Sequence, residues 1–167
     1  MGRLIMKVRQ WHTQFFDLVS CLQSPFLLIV RLYWGWQLAQ SGWGKLHNLS
    51  NVAEYFGSLG LPMPAQMAIF IACIEFFGGI FFALGLASRI TGLVLSVNLT
   101  MAYLVGDREA LLSFFSDPDK FTAAAPFAFM MAALIVLIFG AGKVSADTAI
   151  TFLFIPARAK QANEAAA

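Results

Sequence analysis

Charge is what this sequence has least of. Asp, Glu, Lys and Arg make up 12% of its 167 residues, about half the share in typical soluble domains, while apolar residues reach 59%. So thin a cover of ionisable groups argues against an ordinary water-soluble domain, because a chain this small has a large surface for its volume. Histidine and cysteine are scarcer still, two of each. Cys21 and Cys73 form no C-x-x-C pair, and together with His12 and His47 they make no haem, zinc or iron–sulfur ligand set. No metal site is expected. Net charge is only +2 and no block of basic residues occurs, which argues against nucleic acid as a partner. A secretory leader is not expected either: the first 24 residues lack a clean apolar core and a small-residue cleavage site, and Asp17 interrupts them.

What is abundant is long apolar sequence. Pro25–Gly44 carries one charge, Arg31; Pro64–Leu86 carries one, Glu75; Ile90–Gly106 and Thr122–Gly142 carry none. A hydrocarbon core of ~30 Å needs about 20 apolar residues at ~1.5 Å rise each, and in lipid every backbone polar group must be satisfied within the segment. The expected fold is therefore all-α: a four-transmembrane-helix antiparallel bundle with short interfacial helices. Residues 1–24 form an amphipathic N-terminal interfacial segment, since Trp11, Phe15, Leu18 and Leu22 recur at helical spacing behind Arg3, Lys7 and Arg9. Residues 25–147 form the bundle, its first helix starting at Pro25. Residues 148–167 form an interfacial or disordered tail.

Two loops are too long for simple turns. Val52, Phe56 and Leu59 suggest a small helix over the outer end of the bundle, and Leu111, Leu112, Phe114 and Phe115 suggest a second cap there. The link around Ala87, Ser88 and Arg89 is short enough to force a hairpin. Orientation follows from Lys and Arg. With the N-terminus inside, Arg3, Lys7, Arg9, Arg89, Lys143, Arg158 and Lys160 are cytoplasmic, against Lys45, Arg108 and Lys120 outside. That seven-to-three bias places both termini in the cytoplasm.

The candidate site rests on the two lone intramembrane ions. A charge at bilayer centre costs at least ~2.5–3.5 kcal/mol on insertion scales, so such residues face a bundle interior and pair. Counting Arg31 from Pro25 and Glu75 from Gly85 puts the two within side-chain reach, so they are expected to pair. They either fix helix register or form an interior polar site that binds a head group or passes a proton. Arg31 and Glu75 are the candidates for catalysis. The expected ligand-binding set is Arg31, Trp34, Gln37, Glu75 and Asn98, with Trp34 (and Tyr33 or Trp36) packing a ring and Asn98 hydrogen-bonding across helices. Gly140-Ala-Gly-Lys143-Val-Ser145 only superficially resembles a phosphate loop, because Leu137 stands where its first glycine belongs.

Several motifs in order resemble the DoxX family of small bacterial membrane proteins. They are Arg31…Gly35…Gly42 with Lys45, Gly60-Leu-Pro62, Glu75-Phe-Phe-Gly78-Gly79, Gly85-Leu-Ala-Ser-Arg89, Ser116-Asp-Pro-Asp-Lys-Phe121 and Gly140-x-Gly142-Lys143. Together they run over roughly Leu27–Asp147. The resemblance implies the bacterial plasma membrane and, for some relatives, membership of thiosulfate:quinone oxidoreductase or redox-stress complexes. The expected function is thus a quinone- or lipid-interacting subunit of a membrane redox complex, with quinone as the expected cofactor and none covalently bound. The alternative is a non-catalytic membrane anchor or assembly factor for a soluble partner enzyme. The partners implied are membrane lipid, a soluble redox protein and a second copy of the chain.

Overall fold

A computed structural model describes residues 2–153, with side chains described for residue 19 and residues 21–153. The described residues are all helical or irregular, with no strand among them. Seven helices follow in order: α1 (Gly2–Leu46), α2 (Leu49–Ser58), α3 (Pro64–Leu84), α4 (Ser88–Val105), α5 (Arg108–Leu112), α6 (Pro118–Ala123) and α7 (Pro126–Phe139). Residues 146–153 are again helical.

The first departure from expectation is at Pro25. It does not start a helix; it lies inside α1, which runs unbroken for 45 residues. Proline deletes one backbone bond, yet nothing else between Arg3 and Trp34 breaks the helix, and an interior proline is tolerated in a membrane setting. The boundary at 24/25 is therefore not a break in the chain. The amphipathic character expected of residues 1–24 rests on side chains that, up to Leu18, lie outside the described residues, as does the tail 154–167.

α1 and α3 meet along the closest seam in the molecule, and glycine makes it possible. A Cβ on Gly35 would stand 2.8 Å from the Ala83 nitrogen, and one on Gly79 would stand 2.5 Å from the Ala39 nitrogen. One on Gly42 would stand 2.7 Å from Phe76 Cα. Small residues let helix backbones approach in this way, trading side-chain volume for backbone contact. The seam also fixes register: residue 42 lies level with 76, residue 39 with 79, and Arg31 with Gly85.

α3 ends at Gly85, which caps it in the left-handed conformation at φ 67°, and α4 starts after Ala87 at φ 45°. The resulting antiparallel hairpin agrees with the short link in the sequence. On the far side of α4, Gly92 packs against the backbone of α7 at Ala133 and Leu137. A buried cluster of Leu38, Phe82, Leu95, Leu99, Ala132, Ala133 and Val136 joins α1, α3, α4 and α7. A second cluster, Tyr103, Ala110 and Phe121, ties α5 and α6 to the end of α4, with the Tyr103 hydroxyl donating to the Phe121 carbonyl at 2.8 Å.

The stretch 122–142 is not one helix. The chain turns extended at Ala124, and α7 covers 14 residues, about 21 Å. Pro126 explains the break, since it has no N–H to continue α6. α6 itself is started by Pro118 and capped by the Asp117 carboxylate, which accepts from the Lys120 N–H at 3.2 Å.

Large apolar side chains are abundant on the surface: Ile29, Trp36, Phe70, Ile90 and Val97 are mostly exposed, while Arg31, Glu75, Ser88, Thr91 and Ser96 are buried within a mainly apolar core. α3 and α4 are each long and apolar enough to cross a membrane.

Candidate functional site

Arg31 and Glu75 do not pair. Glu75 lies level with Ser41, ten residues beyond Arg31 on α1, so the two are about 15 Å apart along the seam. The expected pairing counted Arg31's depth from a helix start at Pro25 that does not exist. Each ion instead belongs to its own polar centre, at opposite ends of the bundle.

At the hairpin end, Arg31 is fully buried. Its Nε donates to the Leu27 carbonyl at 3.4 Å and its Nη2 to the Val144 carbonyl, while Nη1 has no partner among the described residues. Only glycine fits opposite it, because a Cβ at Gly85 would collide with the guanidinium. Asp147 completes this centre. Its carboxylate accepts from the Ala87 N–H at 2.7 Å, the Ser88 N–H at 2.8 Å and the Ser88 hydroxyl at 2.6 Å, so it caps α4. Its own N–H donates to the Gly85 carbonyl at 3.0 Å. Burial works against the charged carboxylate, but the bonds from Ser88 and Ala87 and the field of Arg31 outweigh it, so the pKa lies below that of an ordinary aspartate.

At the other end, the buried Glu75 carboxylate is met by the Lys45 ammonium and, at 3.0 Å, by the Ser41 hydroxyl. Lys45 also donates to Ser41 at 3.2 Å. Ser41 and Lys45 stand one turn apart on α1, so both reach across the seam to the same oxygen. A cavity of about 270 Å³ opens beside this group. Its polar lining comes from Ser41, Lys45, Glu75, Asn98, Tyr55 and Asp107; its other walls are apolar, among them Leu99 and Phe129. α2 covers it through Tyr55 and Phe56, with Leu59 just past its end. A small, mainly apolar space with a few convergent polar groups is the usual form of a site for a small molecule.

Of the residues expected to bind a ligand, Glu75 and Asn98 line this cavity. Arg31, Trp34 and Gln37 do not. Trp34 meets the Phe129 ring edge-on at 5.2 Å and the Tyr33 ring at 4.9 Å, so it packs against the core. His47 is engaged locally, its ring against Trp43 and its Nδ1 3.0 Å from the Trp43 carbonyl. The residues missed are Ser41, Lys45, Tyr55, Asp107 and Asp147. For the first two a signal existed: Leu38, Ser41 and Lys45 form an i, i+3, i+7 stripe that projects a hydroxyl and an ammonium from one face. Lys45 instead suggested an amine at the membrane boundary. Among the described residues, no three of His, Cys, Asp and Glu gather as a metal site would require.

The family model for DoxX matches residues 26–108, which carry Arg31, Ser41, Lys45, Glu75 and Asn98 but not Asp147. The chain is 35% identical over 77 residues to a protein of Bacillus subtilis (strain 168) named "Putative oxidoreductase CatD". That match covers 46% of this chain and 56% of the relative, so the chain spans about half the length of the curated relative it matches. No solved structure matches.

Proposed function

We propose, from the premise that residues 26–108 are a DoxX domain, that this chain is a membrane subunit of a redox complex that binds a quinone in the Glu75–Lys45 cavity. The single observation that carries the reading is the composition of that cavity: a hydrogen-bonded ion pair with a buried carboxylate, beside the polar groups of Ser41, Tyr55, Asn98 and Asp107, set into mainly apolar walls. Apolar walls suit a ring dissolved in lipid, and the polar edge suits ring oxygens. At about 270 Å³ the space lies near the lower end of small-molecule pockets and fits a head group, not a whole lipid.

The residues divide the work. The Lys45 ammonium, held beside Glu75, donates to a ring oxygen and stabilises negative charge gathering there. Ser41 holds the Glu75 carboxylate in place, and that carboxylate takes up or delivers a proton. The Asn98 amide can donate from the α4 side of the cavity. A quinone bound there would supply the redox chemistry, taking up two protons and two electrons, the electrons coming from a partner protein. That a relative is named as an oxidoreductase is in keeping with this reading.

In the same proposal α1, α3, α4 and α7 are the four membrane elements of an antiparallel bundle in the bacterial plasma membrane, both termini cytoplasmic. The exposure of large apolar side chains around a core that holds Arg31 and Glu75 supports it, as does the bias of Lys and Arg. The hairpin end with Arg31 and Asp147 is then cytoplasmic, and the Glu75–Lys45 cavity lies toward the outer face.

The test is to purify the protein in lipid nanodiscs, extract bound lipid for mass spectrometry, and measure saturation binding of a decyl-tailed benzoquinone. Wild type should bind about one quinone per chain. Lys45→Met and Glu75→Gln should weaken binding about tenfold to a hundredfold, the value of a hydrogen bond to a charged group. Arg31→Gln should not weaken it. Wild-type protein that binds no quinone at saturation would overturn the proposal and leave a non-catalytic anchor as the better account.

A further inference from the structure

The same cavity also has an open side, and its position bears on the class and route of the ligand. α3 and α4 touch near their hairpin, where Leu95 packs onto Gly78: a Cβ on Gly78 would stand 2.9 Å from the Leu95 side chain. That contact identifies the facing stripes. On α3 the stripe is Met67, Ile71, Ile74 and Gly78; on α4 it is Thr91, Leu95, Asn98 and Ala102, each at three-to-four spacing. Toward the Lys45 end the two helices part, and the cavity fills the cleft between them, lined by Met67 and Ile71 on one side and by Asn98, Met101 and Ala102 on the other.

On the two walls of the cleft Met67, Ile71, Met101 and Ala102 are apolar. Met101 is 48% exposed although it lines the cavity, and Met67, on the α3 wall, is half-buried. Directly outside lie the apolar, exposed faces of both helices, with Phe70 on α3 and Val94 and Val97 on α4. The other walls are lined by α2, by the seam with α1 and by Pro126 and Phe129 of α7. Methionine suits a rim that must open, because it is unbranched and repacks readily.

We infer that the ligand enters sideways from the lipid through the α3–α4 cleft and is a single-tailed amphiphile. Its neutral polar head lies at Glu75 and Lys45, and its tail leaves between Met67 and Met101. This rests on the reading of the cavity as a quinone site and narrows it to tailed quinones or lipids of the same build. An anionic head is disfavoured, because the lining carries two carboxylates, Glu75 and Asp107, against the one ammonium of Lys45. Met101 is the residue that discriminates, because a tail has to pass it and a bare ring does not.

The experiment compares two probes on the full chain in nanodiscs, 2,3-dimethoxy-5-methyl-1,4-benzoquinone and the same ring carrying a decyl tail. Affinities are expressed per mole fraction of lipid, so that partitioning of the tail into the bilayer cancels. Met101→Trp should weaken the tailed probe by about tenfold or more and leave the tail-less one within about threefold. Ile90→Trp, the same change at the exposed hairpin end of α4, should leave both unchanged. Thermal melting in the same discs checks that the tryptophan variant is folded, and Met67→Trp approaches the same rim from the other helix. Equal effects of Met101→Trp on both probes, or none on either, would overturn sideways entry while leaving the quinone site standing. Failure of both probes to bind wild type would overturn the site itself.

Discussion

Double-mutant cycles can decide which intramembrane ions work together. The perturbation is removal of charge at Arg31, Lys45 and Glu75, singly and in pairs, as Arg31→Gln, Lys45→Met and Glu75→Gln. The structure makes the outcome asymmetric. Glu75's side chain is 8% exposed and Lys45's is 30% exposed, so loss of the lysine strands a carboxylate held only by Ser41. Breaking a buried pair in this direction costs about 3–5 kcal/mol. Loss of the carboxylate leaves an amine that can still reach water, and should cost no more than about 1–2 kcal/mol, near the cost of a single lost hydrogen bond. Lys45 and Glu75 share an oxygen contact, so their coupling energy should fall in the range of about 1–3 kcal/mol typical of residues in one network. Arg31 and Glu75 lie about 15 Å apart along the seam, and sites so distant add to within about 0.5 kcal/mol. The assay is reversible unfolding in mixed micelles with increasing denaturing detergent, followed by circular dichroism, with the charge-swapped Lys45→Glu/Glu75→Lys protein as a rescue. A coupling between Arg31 and Glu75 larger than that between Lys45 and Glu75 would refute the register on which the separation of the two polar centres rests.

Other outcomes follow from the same geometry. Gly85→Ala should destabilise by about 1–2 kcal/mol from the left-handed backbone alone, and by more because the methyl would meet Arg31; thermal melting measures it, and Arg31→Ala should relieve the excess. Gly79→Val would drive branched carbons into the Ala39 backbone and should cost at least about 1–3 kcal/mol, as overpacking does, read as a lower melting temperature or loss of folded protein. The lowered pKa of Asp147 sets the sign of a pH effect. The stability it contributes is present in full above the ordinary aspartate value and is lost as pH falls through its lower folded-state value. Proteolysis at the C-terminal segment should therefore accelerate in acid, and Asp147→Asn should remove that dependence.

The long apolar helices were legible because lipid leaves a chain little choice: α3 and α4 agree with the stretches read from composition to within a few residues. Glu75 and Asn98 were legible as interior groups for the same reason, being polar where hydrocarbon would otherwise surround them. Partners were not. Which cation meets Glu75 depends on the sliding register of α1 against α3, and that is set by backbone contact at Gly35, Gly42 and Gly79, where no side chain marks the level. Pro25 gave a false origin for depth, since a proline that starts one helix and a proline inside another look alike in sequence. Asp147 was invisible because its role, capping α4, joins residues 59 and 60 positions apart.

The clasp at the hairpin end has a consequence for how the protein is made. Arg31 and the Val144 carbonyl that receives it are separated by 113 positions, and at about 5–20 residues per second a ribosome needs roughly 6–23 s to supply the second after the first. During that interval the guanidinium is without its last acceptor, and the start of α4 waits without its cap. A nascent chain halted before Val144 would hold every long helix and still lack the fastening, which makes it a natural target for quality-control proteases. A segment made well after α1 therefore locks the earlier helices together.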